Sequence, residues 1–278
     1  MGSMLCPSCR KLISDDEPRC PYCGTMRPGL WGFGPRLQRL FGNRLELVPL
    51  ITMTCIVLYI VSLGLDLRSA FDAGGFPFGI LSPGHNALIL LGMTGRGLLQ
   101  IGHWWTLLTA IYLHGGLLHI FFNLLWIRQL GAFAEEELGP ARFFVLFSLS
   151  GAAGFALSSL LSPYPSIGAS GSVFGLLGAM IAFRRRRGGA GDVMTQQFIS
   201  WAVLLFALGL FMRGVNNWAH LGGFASGYLF GQRIHGMRER PEGRGMQVLA
   251  LALLLLTLFG FVASIVTILP EFLSLRGR

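Results

Sequence analysis

The sequence predicts an all-α polytopic membrane protein carrying a small cysteine-rich module at its N-terminus. Three observations lead there. Hydrophobic residues make up 53% of the 278 positions and charged residues only 13%, a balance far from that of a soluble domain. Six stretches lack Asp, Glu, Lys and Arg over membrane-spanning length: residues 47–65, 97–127, 143–183, 193–212, 214–232 and 245–270. Four of the five cysteines fall among the first 23 residues, in two Cys-x-x-Cys pairs.

A span needs about 20 apolar residues to cross roughly 30 Å of hydrocarbon. The 41 residues of 143–183 are twice that, and Pro163-Tyr164-Pro165 divides them. Seven helices are therefore expected, near 47–65, 117–133, 141–161, 168–183, 198–212, 217–232 and 248–269. Residues 1–29 form the N-terminal module, 30–46 a basic linker, and 236–278 a loop, the seventh helix and a tail. Cys55, inside the first span, reads as an inert buried thiol. The stretch 66–116 is long for a loop and rich in Gly and Pro, and Trp104-Trp105 suits an interfacial belt, so it is read as half-embedded in one leaflet. Glu135, Glu136 and Glu137 read as a solvated turn.

The net charge of +9 invites a nucleic-acid partner, but its distribution follows a different rule. With the N-terminus in the cytoplasm, 17 of the 22 Lys and Arg share one side, including the run Arg184 to Arg187. Basic residues favour cytoplasmic loops, so the excess sets topology and no nucleic acid is expected. The polar, cysteine-rich start does not read as a secretory signal peptide. The expected location is the inner membrane of a bacterium, with the lipid bilayer as solvent.

Three polar clusters interrupt the apolar spans. His119 and Asn123 lie four apart on one face of the second helix. Ser170 opens the fourth, within Gly168-Ala169-Ser170-Gly171. His220 lies in the first turns of the sixth. Helices two, four and six run in the same direction, so all three clusters share one shallow depth. Polar groups that only pack helices have no reason to do so.

A serine hydroxyl is a poor nucleophile until a base takes its proton, and histidine titrates in the useful range. Ser170 with His220 makes a minimal nucleophile–base pair. Gly171-x-x-x-Gly175 and Gly223-x-x-x-Gly227 would let their helices approach closely. His119, Asn123 and the Ser170 backbone N–H could donate to a developing oxyanion. These spans contain no acidic third member, which predicts a dyad. Taken singly, each residue has a plainer reading: Ser170 among glycines as a packing contact, His as a packed hydrogen-bonding group, Asn as helix glue.

Jointly, the motifs resemble those of the rhomboid family of intramembrane serine proteases. Gly168-Ala169-Ser170-Gly171 matches its Gly-x-Ser-Gly nucleophile motif, and His220-x-x-Gly223 its histidine helix. His119 to Asn123, with His114 upstream, matches its oxyanion segment. The resemblance covers about residues 45–235. It implies a six-helix catalytic core over 47–235, with the seventh helix as a C-terminal addition. It further implies a Ser170–His220 endopeptidase acting on transmembrane segments of other membrane proteins. One departure is Trp105-Thr106, where the family often carries Trp-Arg. His114 is expected to order a loop through a hydrogen bond. The competing readings are a catalytically inactive relative that binds transmembrane clients, and a transporter. The shared shallow depth speaks against a transport path.

In the N-terminal module, Cys6-Pro7-Ser8-Cys9 and Cys20-Pro21-Tyr22-Cys23 are separated by ten residues. Four thiolates at this spacing can close a tetrahedral zinc site, and a cytoplasmic location disfavours disulfides. The module resembles a zinc ribbon, with rubredoxin-like iron the weaker alternative. Its closed site would be structural, and it is expected to dock a cytoplasmic partner or regulate.

Overall fold

The computed structural model describes residues 3–6, 9–14, 17–24, 46–71, 81–212, 214–233 and 242–276. The linker expected over 30–46 lies almost wholly outside them. The chain divides into two compact units, residues 1–46 and 47–278.

The first unit is built on a two-stranded antiparallel hairpin. Strand β1 (Ser3–Leu5) pairs with β2 (Leu12–Ser14), with Met4 opposite Ile13. Those two side chains pack with Cys6 and Cys20 in a very small core. The Cys6 N–H donates to Lys11 O and the Arg10 N–H to Cys6 O, both at 2.9 Å. These bonds close a tight turn at whose end Arg10 takes φ 59°, left-handed and unusual for a residue with a Cβ.

Among the described residues, the second unit contains seven long helices: α1 (Leu47–Leu65), α2 (Leu117–Leu138), α3 (Pro140–Leu161), α4 (Ser170–Arg186), α5 (Val193–Phe211), α6 (Asn217–Arg233) and α7 (Arg244–Arg276). Five are long and apolar enough to cross a membrane. The exceptions are α4 and α6, of 17 residues each. These two pack at the centre with α3, and every α4 residue from Gly171 to Phe183 is buried. Protein surrounds α4, which therefore needs neither the length nor the hydropathy of a lipid-facing span, whereas α6 buries its glycine face and leaves Trp218, Leu221 and Leu229 exposed.

Besides α5, which begins at Val193 rather than near 198, the structure departs from expectation in three places. Helix α2 continues to Leu138, through a π-turn over Ile127–Gly131, so the acidic segment is helical and the chain turns only at Gly139 (φ 88°). Glu135 is no solvated turn residue: its carboxylate accepts from the Leu47 N–H at 2.6 Å and the Val48 N–H at 3.1 Å, capping α1. Sequence alone could not place that contact, because 87 residues separate Glu135 from Val48. Helix α7 is also longer than expected, at 33 residues, with Pro270 inside it.

The third shift concerns the segment between α1 and α2, where 81–116 is largely ordered. It forms short helices at His85–Leu90, Arg96–Gln100 and Thr106–Thr109, then a 3-10 turn at Ala110–Tyr112. Arg96 donates to the Ser159 and Leu160 carbonyls at the end of α3, at 2.9 and 2.6 Å. Helix α7 fastens the same segment from another direction. Its Ser264 accepts from the Trp105 indole at 3.0 Å, and its Phe259 meets both Trp104 and Trp105.

Candidate active site

The contact between α4 and α6 is made by backbone. A Cβ on Gly223 would collide with the Gly171 carbonyl, one on Gly227 with the Gly175 backbone, and one on Gly231 with the Ala179 backbone. On α3, Gly154 meets the Ala219 carbonyl in the same way. Only helices without side chains along these lines can come so near, which is the use anticipated for Gly171-x-x-x-Gly175 and Gly223-x-x-x-Gly227.

At one end of this seam, the Ser170 Oγ lies 2.9 Å from the His220 Nε2. Ser170 is the first residue of α4, where backbone N–H groups have no partner inside the helix. His220 is buried, one turn into α6, and its ring stacks on Phe174 with centroids 4.3 Å apart and planes inclined by 20°. If Nε2 accepts the serine proton, the ring's own proton sits on Nδ1, and Nδ1 has no hydrogen-bond partner. An aromatic face therefore fixes this imidazole where a carboxylate might have stood.

His119 stands beside the same turn. Its Nδ1 accepts from the Gly115 N–H at 3.2 Å, which assigns the ring proton to Nε2. A Cβ on Gly168 would lie only 2.6 Å from that Nε2, so the donor faces the backbone leading to Ser170. Gly168 has φ 111°, a second reason that glycine is needed there. The Gly168 N–H donates to Ala110 O at 2.9 Å, holding the turn before Ser170 against the 81–116 segment. Asn123 is buried and donates to His119 O at 2.8 Å, one turn back on α2. One of its two amide hydrogens is thus committed within its own helix. His114 differs from expectation: its ring packs edge-on against His119, centroids 5.2 Å apart, and neither nitrogen makes a hydrogen bond of normal geometry.

Sequence reasoning did not find Phe174 or Gly115 at this site, nor Asn216, which precedes α6 and whose side-chain oxygen accepts from the Ala219 N–H at 3.1 Å. Phe174 is one apolar residue among many in its span, and Gly115 acts only through its backbone. Asn216 was accessible, since an Asn just before a helix is an N-cap pattern.

In the first unit, the four sulfur atoms of Cys6, Cys9, Cys20 and Cys23 all lie within 4.8 Å of one another. Cys6 to Cys23 and Cys9 to Cys20 are each 3.6 Å. Tetrahedral coordination with Zn–S bonds of about 2.3 Å requires sulfurs roughly 3.8 Å apart, so the donor set fits such an ion. The Lys11 backbone N–H favours the Cys9 thiolate. Desolvation and the neighbouring thiols of Cys23, Cys20 and Cys6 outweigh it and push Cys9 up to about 12. Bringing four thiols together thus opposes their ionisation, and a bound cation would reverse that.

The class these features define is a multi-pass helical membrane protein with a hydrogen-bonded serine–histidine pair at one end of a glycine-packed core. Residues 101–236 match the family model of the rhomboid domain. The chain is 32% identical to YdcA of Bacillus subtilis (strain 168) over 148 residues, which is 50% of this chain and 71% of that protein. It is 32% identical to Rhomboid protease GluP of the same organism over 177 residues, 63% of this chain and 34% of GluP. Against Rhomboid-like protease 3 of Toxoplasma gondii it is 31% identical over 183 residues, 64% of this chain and 65% of that one. The chain belongs to the rhomboid family. It spans only about a third of the length of GluP, and the cysteine module and α7 lie outside the matched domain.

Proposed function

We propose that this protein is an intramembrane serine endopeptidase that cleaves transmembrane segments of other membrane proteins through a Ser170–His220 dyad. The observation that carries the reading is the 2.9 Å contact between Ser170 Oγ and His220 Nε2. It lies inside a matched domain that named proteases share.

In this reading, His220 Nε2 takes the hydroxyl proton as Ser170 Oγ attacks the scissile carbonyl. His119 Nε2, the Ser170 N–H and the free amide hydrogen of Asn123 receive the oxyanion. The imidazolium is supported by the Phe174 face, a cation–π arrangement. It then gives its proton to the departing amine. Water next attacks the acyl-enzyme, returning a proton through His220 to Ser170. Removing a single oxyanion donor typically lowers turnover about 10²–10³-fold.

Cys6, Cys9, Cys20 and Cys23 would hold a structural zinc ion that shapes the ribbon and takes no part in the cleavage. The arginine-rich end of α4 and the Arg233 end of α6, with the ribbon, would face the cytoplasm, where the ribbon could meet a partner.

The test is Ser170→Ala beside wild type, read by release of fragments from a reporter transmembrane substrate and by fluorophosphonate labelling. Wild type should cleave and label, the latter blocked by His220→Ala; Ser170→Ala should do neither. Cleavage that survives in Ser170→Ala refutes the dyad. A wild type that binds reporter but neither labels nor cleaves would leave the inactive, client-binding reading.

A further inference from the structure

Helix α6 presents His220 one turn inside its N-terminus, and Asn216 controls that end. Its main-chain carbonyl accepts from the His220 N–H at 3.2 Å, and its side-chain oxygen accepts from the Ala219 N–H at 3.1 Å. With the oxygen committed to the cap, the amide nitrogen points away from α6. There it donates to both Ser158 Oγ and Ser166 Oγ, two buried hydroxyls 3.3 Å apart.

The two acceptors belong to different parts of the molecule. Ser158 is on α3. Ser166 lies four residues before Ser170, in the segment that delivers the nucleophile. Its backbone is paired in both directions with Thr94, at 2.8 and 3.2 Å. One amide thus joins the histidine helix, α3, the nucleophile segment and the 81–116 segment. The links also close a ring. Four residues run from Asn216 to His220, four from Ser166 to Ser170, and the ends are closed by Asn216–Ser166 on one side and Ser170–His220 on the other.

We propose that Asn216 is a positioning residue for the Ser170–His220 pair, its side-chain amide setting the separation of the two strands of chain that carry them. The proposal rests on the protease reading given above. A helix cap alone predicts something different: any good capping residue would do, and only stability would change. Serine at this position keeps a capping oxygen but is too short to bridge to Ser158 and Ser166, so Asn216→Ser separates the two roles.

Asn216→Ser should stay folded at the assay temperature, its unfolding temperature lower by only a few degrees for the lost bridge, whereas fluorophosphonate labelling of folded Ser170 slows about 10-fold. With a reporter substrate, kcat should fall at unchanged KM. The Ser158→Ala/Ser166→Ala double variant should slow labelling similarly, and adding Asn216→Ser to it should change little further, because all three act through the same links. A second readout needs no turnover. The ¹⁵N shift of His220 Nε2 should move in Ser170→Ala, and move the same way in Asn216→Ser although Ser170 is present. Wild-type labelling and an unmoved ¹⁵N shift in Asn216→Ser would overturn the proposal. So would a labelling loss that only tracks a fall in folded protein. If wild type itself fails to label, the protease reading falls, while the ¹⁵N comparison still decides whether Asn216 sets the pair's geometry.

Discussion

Replacing Gly227 by alanine tests whether helix spacing, rather than local chemistry, sets the Ser170–His220 distance. Gly227 is seven residues beyond His220, roughly two turns or 10 Å along α6, and touches neither residue of the pair. Its added Cβ would overlap the O, C and Cα atoms of Gly175. Those are backbone atoms, so no side-chain rotation relieves the clash and the helices must part. Overpacking of this kind costs about 1–3 kcal/mol. A parting of roughly 1 Å would stretch the 2.9 Å Ser170–His220 contact beyond hydrogen-bond range. Displacements of that size cost up to about 100-fold in rate, and some of the shift will be absorbed over two turns. The expected loss is therefore about 10- to 100-fold in fluorophosphonate labelling, with a lower unfolding temperature. Gly64→Ala on α1 is the control: nothing lies within 4 Å of its Cβ, so labelling should be unchanged and stability equal or higher. A Gly227→Ala protein with wild-type labelling and wild-type unfolding would refute the reasoning.

Ser264→Ala leaves the buried end of the Trp105 indole without its acceptor, and should cost about 1 kcal/mol in thermal unfolding. Glu135→Ala uncaps α1 and should cost about 1–2 kcal/mol, with Glu135→Gln recovering part of it. Asp192 caps α5 through Thr195 and pairs with Arg184, and those hydrogen bonds hold its carboxyl near 2 instead of 3.8. A depressed carboxylate stabilises above its unfolded pKa and ceases to as pH falls through the folded one. Asp192→Asn should therefore lower the unfolding temperature equally at pH 7 and pH 5. Metal analysis of purified protein should give about one zinc per chain, lost in Cys6→Ser/Cys9→Ser, while reporter cleavage by that variant persists.

Much of the architecture was readable because the bilayer leaves few choices. Most charge-free runs of spanning length had to be helices, although only the part of 97–127 from Leu117 onward forms a long one, and the 163–165 turn divided the longest run at the right place. The Ser170–His220 contact was readable because polar groups are rare and costly in such helices. What stayed hidden depends on contacts between distant segments or on backbone. The cap that Glu135 provides for α1, the Gly115 N–H that fixes the His119 tautomer, and the α7 clasp on Trp105 leave no local pattern. Phe174 was hidden for another reason, since an apolar residue in an apolar helix announces nothing about the ring it stacks on.

The shortness of α4 and the chemistry proposed for its first residue are connected. Its basic residues, Arg184, Arg185 and Arg186, occupy the last turn and belong at a headgroup surface. From Phe183 back to Ser170 is 14 residues, about 21 Å of helix, against roughly 30 Å of hydrocarbon. With one end anchored by arginines, Ser170 must lie roughly 9 Å beneath the opposite surface. A lone helix could not end there, because its unpaired N–H groups would face lipid. Here α3, α6 and the 81–116 segment surround that end, and the Gly168 N–H is already bonded to Ala110. The first N–H groups of α4 are thus tolerated at depth because these segments, rather than lipid alone, flank that end. In the proposed chemistry, that places an N–H donor, the Ser170 hydroxyl and the His220 imidazole together at a depth where a membrane-embedded chain would present its backbone.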